Sequence, residues 1–221
     1  MRIREIISEG LSHPIIVVDV QPEYNGGPGP ANPKFIKIMQ FVQKQTGPVL
    51  FFVNAEDQGL SGDTVQSVQQ FWDEALGTEG EEGEDEEGNY YYNEPKSPID
   101  WSRFTVVDKG FGYFRSWMDH GISPKIIIAT IREMYIQKVS DTRDLEFPES
   151  NQLTTTQRLI QDAVEEMNGD LMSVGWTSVA QLKQFNGAYL VGGGRDECLR
   201  EVELLMNAFN IKYKKIEDLI Y

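Results

Sequence analysis

The chain has 221 residues, 40% of them apolar, a formal net charge of −15 and one cysteine. That length and apolar content suit a single domain with a real core, while the acidic balance excludes non-specific binding to nucleic acid or to an anionic membrane surface, both of which need clustered cations. One cysteine cannot close an internal disulfide, no stretch is long and apolar enough to cross a bilayer, and MRIREIISEG lacks the apolar core of a signal peptide, so a reducing, cytoplasmic setting is expected.

The β-branched run Ile15 to Val18 predicts a strand buried on both faces and ending at Asp19. QPEYNGGPGPANP then reads as a loop, and Phe35, Ile38, Met39 and Val42 keep helical spacing up to the stop at Thr46-Gly47-Pro48. Val49 to Ala55 predicts a second buried strand, followed by a polar loop with Asn54 and Glu56 at its start. Asp63 is placed to cap a helix through about Leu76, with Val65, Val68, Phe71 and Trp72 inward. TEGEEGEDEEG, Thr78 to Gly88, is acidic and glycine-rich with no apolar residue, and the whole of 78–95 reads as a mobile loop. It does not fit a calcium-binding EF-hand, because Gly83 falls where the first ligand belongs.

Arg103 to Asp108 predicts a third strand running into Lys109, and GFGYFRSWMDHG a short helix closed by Gly121. SPKIIIATIREMYIQK favours a helix capped by Ser123 and opened by Pro124, with a strand at Ile126 to Ala129 as the alternative. LTTTQRLIQDAVEEM predicts a helix with Leu159, Ala163 and Val164 inward, and TSVAQLKQF another. GAYLVGGG reads as a strand entering a glycine turn, the helix carrying Cys198 follows, and IKYKKIEDLI predicts the last strand. Strands that alternate with helices imply a three-layer αβα sandwich around a mainly parallel sheet of five or six strands, in one domain.

In such sheets ligands bind beyond the C-terminal strand ends. Asp19, Asn54, Lys109 and the turn Gly192 to Cys198 all fall there. A helix N-terminus favours the thiolate of Cys198, which is the nucleophilic form. Asp19 can serve as its base and Lys109 as the cation that stabilises the sulfur. Backbone N–H groups of Gly193 and Gly194 can hold the oxyanion formed when a carbonyl is attacked. Blander alternatives stay open. Asp19 could cap its own loop, Lys109 could pair with Asp108, and the glycines could serve only the tight turn. Trp101, Trp117 and Trp176 are expected in the core or a pocket wall, and His13 and His120 on the surface.

IIVVDVQPEY, VVDKGFGYF and LVGGGRDEC, in that order, resemble the isochorismatase-like, nicotinamidase-related cysteine hydrolases. The resemblance covers Asp19 and Gln21, Lys109 and Phe114, and Gly192 with Cys198. It implies a metal-independent hydrolase that cleaves a small amide or related compound through a thioester, without cofactor, with a homodimer suggested by analogy to the family. Asp19, Lys109 and Cys198 would be catalytic, and Gln21, Asn54, Phe114, Gly193, Gly194 and Arg195 would bind substrate. The histidines do not stand where nicotinamidases hold a metal. The segment 122–175 is either a helical insertion or contains the family's fourth strand, which would make the cysteine match accidental. Two other functions compete. The glycine turn and Arg195 could bind an anion or nucleotide without covalent chemistry, or the acidic loop and Tyr90 to Tyr92 could contact a protein partner on a catalytically dead scaffold.

Overall fold

A computed structural model describes residues 12–25, 31–53, 65–77, 81–84, 90–93, 99–109, 114–167 and 178–221. Strands β1 (Ile15–Val18), β2 (Val49–Val53), β5 (Phe104–Asp108), β6 (Ala188–Gly192) and β7 (Tyr213–Lys215) form one sheet in the order β5-β2-β1-β6-β7. Every pairing in it is parallel. The remaining strands, β3 (Glu81–Glu84) and β4 (Tyr90–Asn93), make a separate antiparallel ribbon. The acidic segment expected to be all loop therefore contains a strand, paired with the tyrosine-rich run that follows it.

β1 is central. The chain builds outward through β2 and β5, then crosses to the other side of β1 for β6 and β7. The β-branched and aromatic runs explain why β1, β2 and β6 are buried along their whole length. Alternate side chains enter two cores. Ile16, Val18, Leu50, Phe52 and Leu190 face one, with Ile15, Val17, Phe51, Tyr189 and Val191 facing the other.

Helices α1 (Pro33–Lys44) and α2 (Val65–Ala75) cover the second face with Phe35, Ile38, Met39, Val42, Val68 and Trp72. The first face is covered by α3 (Phe114–Asp119), α4 (Pro124–Gln137), α5 (Thr155–Glu166), α6 (Val179–Lys183) and α7 (Cys198–Ala208). Ser123 accepts from the Ile126 N–H, and the run after Pro124 is a helix, so the alternative strand at Ile126 to Ala129 is ruled out. α4 packs on α7 and α5 on α4, bringing Ile127, Ile131, Met134, Ile160 and Ala163 into the core. The described helices of segment 122–175 are thus part of the packed layer.

Some details depart from the helical reading. Val65 and Leu159, expected inward, are 45% and 46% exposed. Val65 opens its helix, and the helix of Leu159 packs on α4 rather than on the sheet. The last strand is only Tyr213–Lys215, and Glu217–Leu219 is a 3-10 turn that buries Leu219. Asp63 and Trp176 lie outside the described residues, whereas Trp117 is wholly buried and Trp101 packs edge-on against Trp72.

Candidate active site

The strand order reverses between β1 and β6, the position where parallel sheets open a crevice. Asp19 leaves β1 there, and Cys198 begins the helix that follows β6. Lys109 leaves β5. The Asp19 N–H donates to the Phe52 carbonyl at 2.9 Å, and the Lys109 N–H donates to the Val53 carbonyl at 2.9 Å. These bonds continue the sheet ladder by one residue and fix where both side chains start.

Asp19 takes the left-handed backbone conformation, φ 54°, uncommon outside glycine although Asp enters it more readily than most residues. Two side chains brace it. The Tyr221 hydroxyl donates to the Asp19 carbonyl at 2.7 Å, and the Trp72 indole N–H donates to the Val20 carbonyl at 2.7 Å. The glycine turn is equally constrained. Gly192 has φ 85°, and a Cβ there would stand 2.3 Å from the Val18 carbonyl oxygen. Only glycine lets β6 end so close to β1.

From these starts the three groups meet. Lys109 Nζ lies 2.6 Å from Asp19 Oδ2, with side-chain exposures of 10% and 1%. The Cys198 thiol acts on the ionisation of both, and both act on it. Asp19 Oδ1 makes no hydrogen bond of ordinary geometry among the described residues. Cys198 itself is partly exposed, at the rim of the first core. Its environment does not produce the thiolate that the helix N-terminus suggested. Burial, then the Asp19 charge, push its pKa up to about 12, against the opposing pull of Lys109. Burial raises the Asp19 pKa, with Lys109 and Cys198 opposing. Burial also works against the Lys109 charge, but Asp19 and then Cys198 outweigh it and hold the ammonium. The resting site is therefore a thiol beside an ion pair, with a carboxylate made more basic than usual.

The backbone donors differ from the expectation in one respect. The Gly193 N–H is occupied, donating to the Val18 carbonyl at 2.7 Å. Those of Gly194, Asp196 and Cys198 donate to no group among the described residues. The helix end thus offers free N–H groups at the cysteine itself rather than at Gly193.

The other expected binding residues are scattered. Gln21 is fully buried behind Asp19, with Nε2 3.5 Å from Glu23 Oε2. Phe114 lies in the first core and is 4% exposed. Arg195 is turned to Glu217, and its N–H donates to the Tyr221 carbonyl. Both side chains of that pair are about half exposed. Asn54 and Glu56 lie outside the described residues. His13 packs on Tyr189 before β1, at the opposite end of the sheet, and His120 Nδ1 contacts the Ser116 carbonyl.

Three contributors were not anticipated. The Tyr24 ring centroid is 5.8 Å from Lys109 Nζ, close enough for a cation–π contact. Its phenol is held protonated by burial and by the charge of Asp19. Tyr221, from the far end of the described chain, has its own pKa raised by burial and by Asp19. Glu201 follows Cys198 by one helical turn. Its signal was present as a carboxylate three residues past the cysteine, but nothing in the sequence distinguished it from a solvated face. No sequence signal marked the tyrosines, which arrive through tertiary packing.

Comparison of the chain with family models, with curated proteins and with solved structures finds no match.

Proposed function

We propose that the protein is a cysteine hydrolase that cleaves a small amide or related acyl compound through a thioester on Cys198, as the resemblance to isochorismatase-like hydrolases implies. The observation that carries this reading is the junction of Asp19, Lys109 and Cys198, from three separate strand ends, at the reversal of the sheet. An accidental cysteine has no reason to face a buried ion pair.

The chemistry follows from the protonation states. The Cys198 sulfur attacks the substrate carbonyl carbon while its proton passes to Asp19, whose raised pKa suits it to receive one. The carbonyl oxygen becomes an oxyanion, for which the free N–H groups of the α7 end are the available donors. When the C–N bond breaks, Asp19 returns the proton to the leaving nitrogen. Water then attacks the thioester, loses a proton to Asp19, and the C–S bond breaks with the sulfur reprotonated. Lys109 keeps Asp19 ionised between steps and offsets charge on sulfur.

The test uses 4-nitrophenyl acetate, an activated ester that requires little substrate recognition. The wild type should release nitrophenol in a burst equal to the enzyme present, and Cys198→Ala should show none. In Asp19→Asn deacylation should slow by about 10²–10⁴-fold, so that acetyl-Cys198 accumulates in the intact mass spectrum. A burst that survives in Cys198→Ala, or no burst in the wild type, would overturn the proposal.

A further inference from the structure

Asp19 is held at both ends of its backbone. Its N–H donates to the Phe52 carbonyl of β2 at 2.9 Å, and its own carbonyl accepts from the Tyr221 hydroxyl at 2.7 Å. Between these two bonds lies the φ of 54°. With the N–H fixed on the sheet, turning φ toward the usual negative range would rotate Cβ about the N–Cα bond and swing the carboxylate out of place. Asp19 Oδ2 stands 2.6 Å from Lys109 Nζ, and a contact that short does not survive such a rotation. The carbonyl bond from Tyr221 therefore bears on where the carboxylate sits, although Tyr221 does not bond the carboxylate itself.

Tyr221 is itself firmly seated. Its carbonyl accepts from the Arg195 N–H of the glycine turn at 3.0 Å, and its ring centroid lies 4.9 Å from that of Phe35 in α1. The Ile220 carbonyl before it accepts from Lys34 Nζ at 2.6 Å, and Leu219 and Ile220 are buried. Burial and the Asp19 charge keep the phenol protonated, so the hydroxyl has a proton to donate. One residue thus ties the strand end that carries Asp19 to the turn that leads into Cys198. We propose that Tyr221 is a positioning residue: by holding the Asp19 carbonyl it keeps the carboxylate where it can exchange a proton with Cys198 and with the water that attacks the thioester. The inference rests on the reading of Cys198 as the nucleophile and Asp19 as its base. Removing the hydroxyl leaves Asp19 chemically intact but lets its backbone relax, and misplacement of a reacting group by about 1 Å can cost on the order of 10²-fold in rate.

A hydroxyl that only fastened this segment to β1 would, when lost, lower the urea midpoint and leave the acyl chemistry as it was. The test is Tyr221→Phe, which keeps the ring and the backbone carbonyl, alone and combined with Asp19→Asn. The protein is acetylated with 4-nitrophenyl acetate, and loss of acetyl-Cys198 is followed by rapid quench and intact mass. Tyr221→Phe should lose the acetyl group about 10–100-fold more slowly than wild type. In the Asp19→Asn background the same change should slow it by less than about twofold, because a residue that acts through Asp19 has nothing left to position. The thiolate absorbance of Cys198, which the Asp19 charge pushes to higher pH, should appear at lower pH in Tyr221→Phe. Unchanged deacylation in Tyr221→Phe, a thiolate titration that does not move, or slowings that multiply in the double variant each overturn this inference and leave the nucleophile reading standing. Absence of a nitrophenol burst in the wild type overturns both.

Discussion

At Cys198 the carboxylate and the ammonium pull in opposite directions, and that opposition can be measured. The Asp19 charge raises the thiol pKa and the Lys109 charge lowers it. Asp19→Asn should therefore make the thiol more acidic, moving it down from about 12 by about one unit or more. Lys109→Met should move it up. Thiolate absorbance in an ultraviolet pH titration reads both. Asp19→Asn should then alkylate faster at pH 9 while losing the turnover proposed above, a separation of acidity from the proposed proton transfer. An identical thiol titration in wild type and Asp19→Asn would mean that the sulfur lies outside the field of the carboxylate. The residues of this junction were legible in the sequence because each closes a strand pattern: Asp19 after IIVV, Lys109 after FTVVD, Cys198 after AYLVGGG. Their protonation states were not. A helix N-terminus argues for thiolate, but burial at the rim of the first core and then the Asp19 charge reverse this, and the Asp19 charge arrives from a distant part of the chain.

Elements were readable where one interaction dominates. Five runs of β-branched and aromatic residues bounded by glycine, proline and polar residues gave the five parallel strands, and Ser123 with Pro124 decided α4 once its cap was seen. The ribbon of β3 and β4 was missed because Glu81–Glu84 has no strand propensity of its own and pairs only through the partner run Tyr90–Asn93. The inward placement of Val65 and Leu159 failed because helical spacing gives the direction of a stripe but not which of its positions meet a neighbouring element. The junction of β6 with α7 carries the sharpest prediction at this scale. In Gly192→Ala the new methyl meets the Val18 carbonyl in a conformation of positive φ. A loss of about 2–4 kcal/mol in urea unfolding is expected, together with loss of the nitrophenol burst, since β1 and β6 hold Asp19 and Cys198 at their shared end. Unchanged stability would show that the two strand ends can part without cost.

Over the whole molecule, folding raises the proton affinity of Glu201 from the usual 4.5 to about 7. A group bound more tightly to its proton in the folded state stabilises fully below its unfolded pKa and progressively less as pH rises through its folded pKa. Stability should therefore decline by about 3 kcal/mol between pH 4.5 and about 7.5 on account of this group, and Asp19, also raised, acts in the same sense. Glu201→Gln should match the wild type near pH 4.5 and exceed it at pH 8 in urea midpoint. Parallel midpoints across that range would refute the assignment. The sheet order has a different consequence. A backbone cut between the two strands of the ribbon leaves β1 and β2 on one fragment and β5, β6 and β7 on the other. The first piece owns Asp19 and the second owns Lys109 and Cys198, so each is chemically incomplete. The pairings of β1 with β6 and of β2 with β5 both bridge the cut, which makes the protein a natural candidate for a split pair whose Asp19–Lys109 contact returns only when its halves are brought back together.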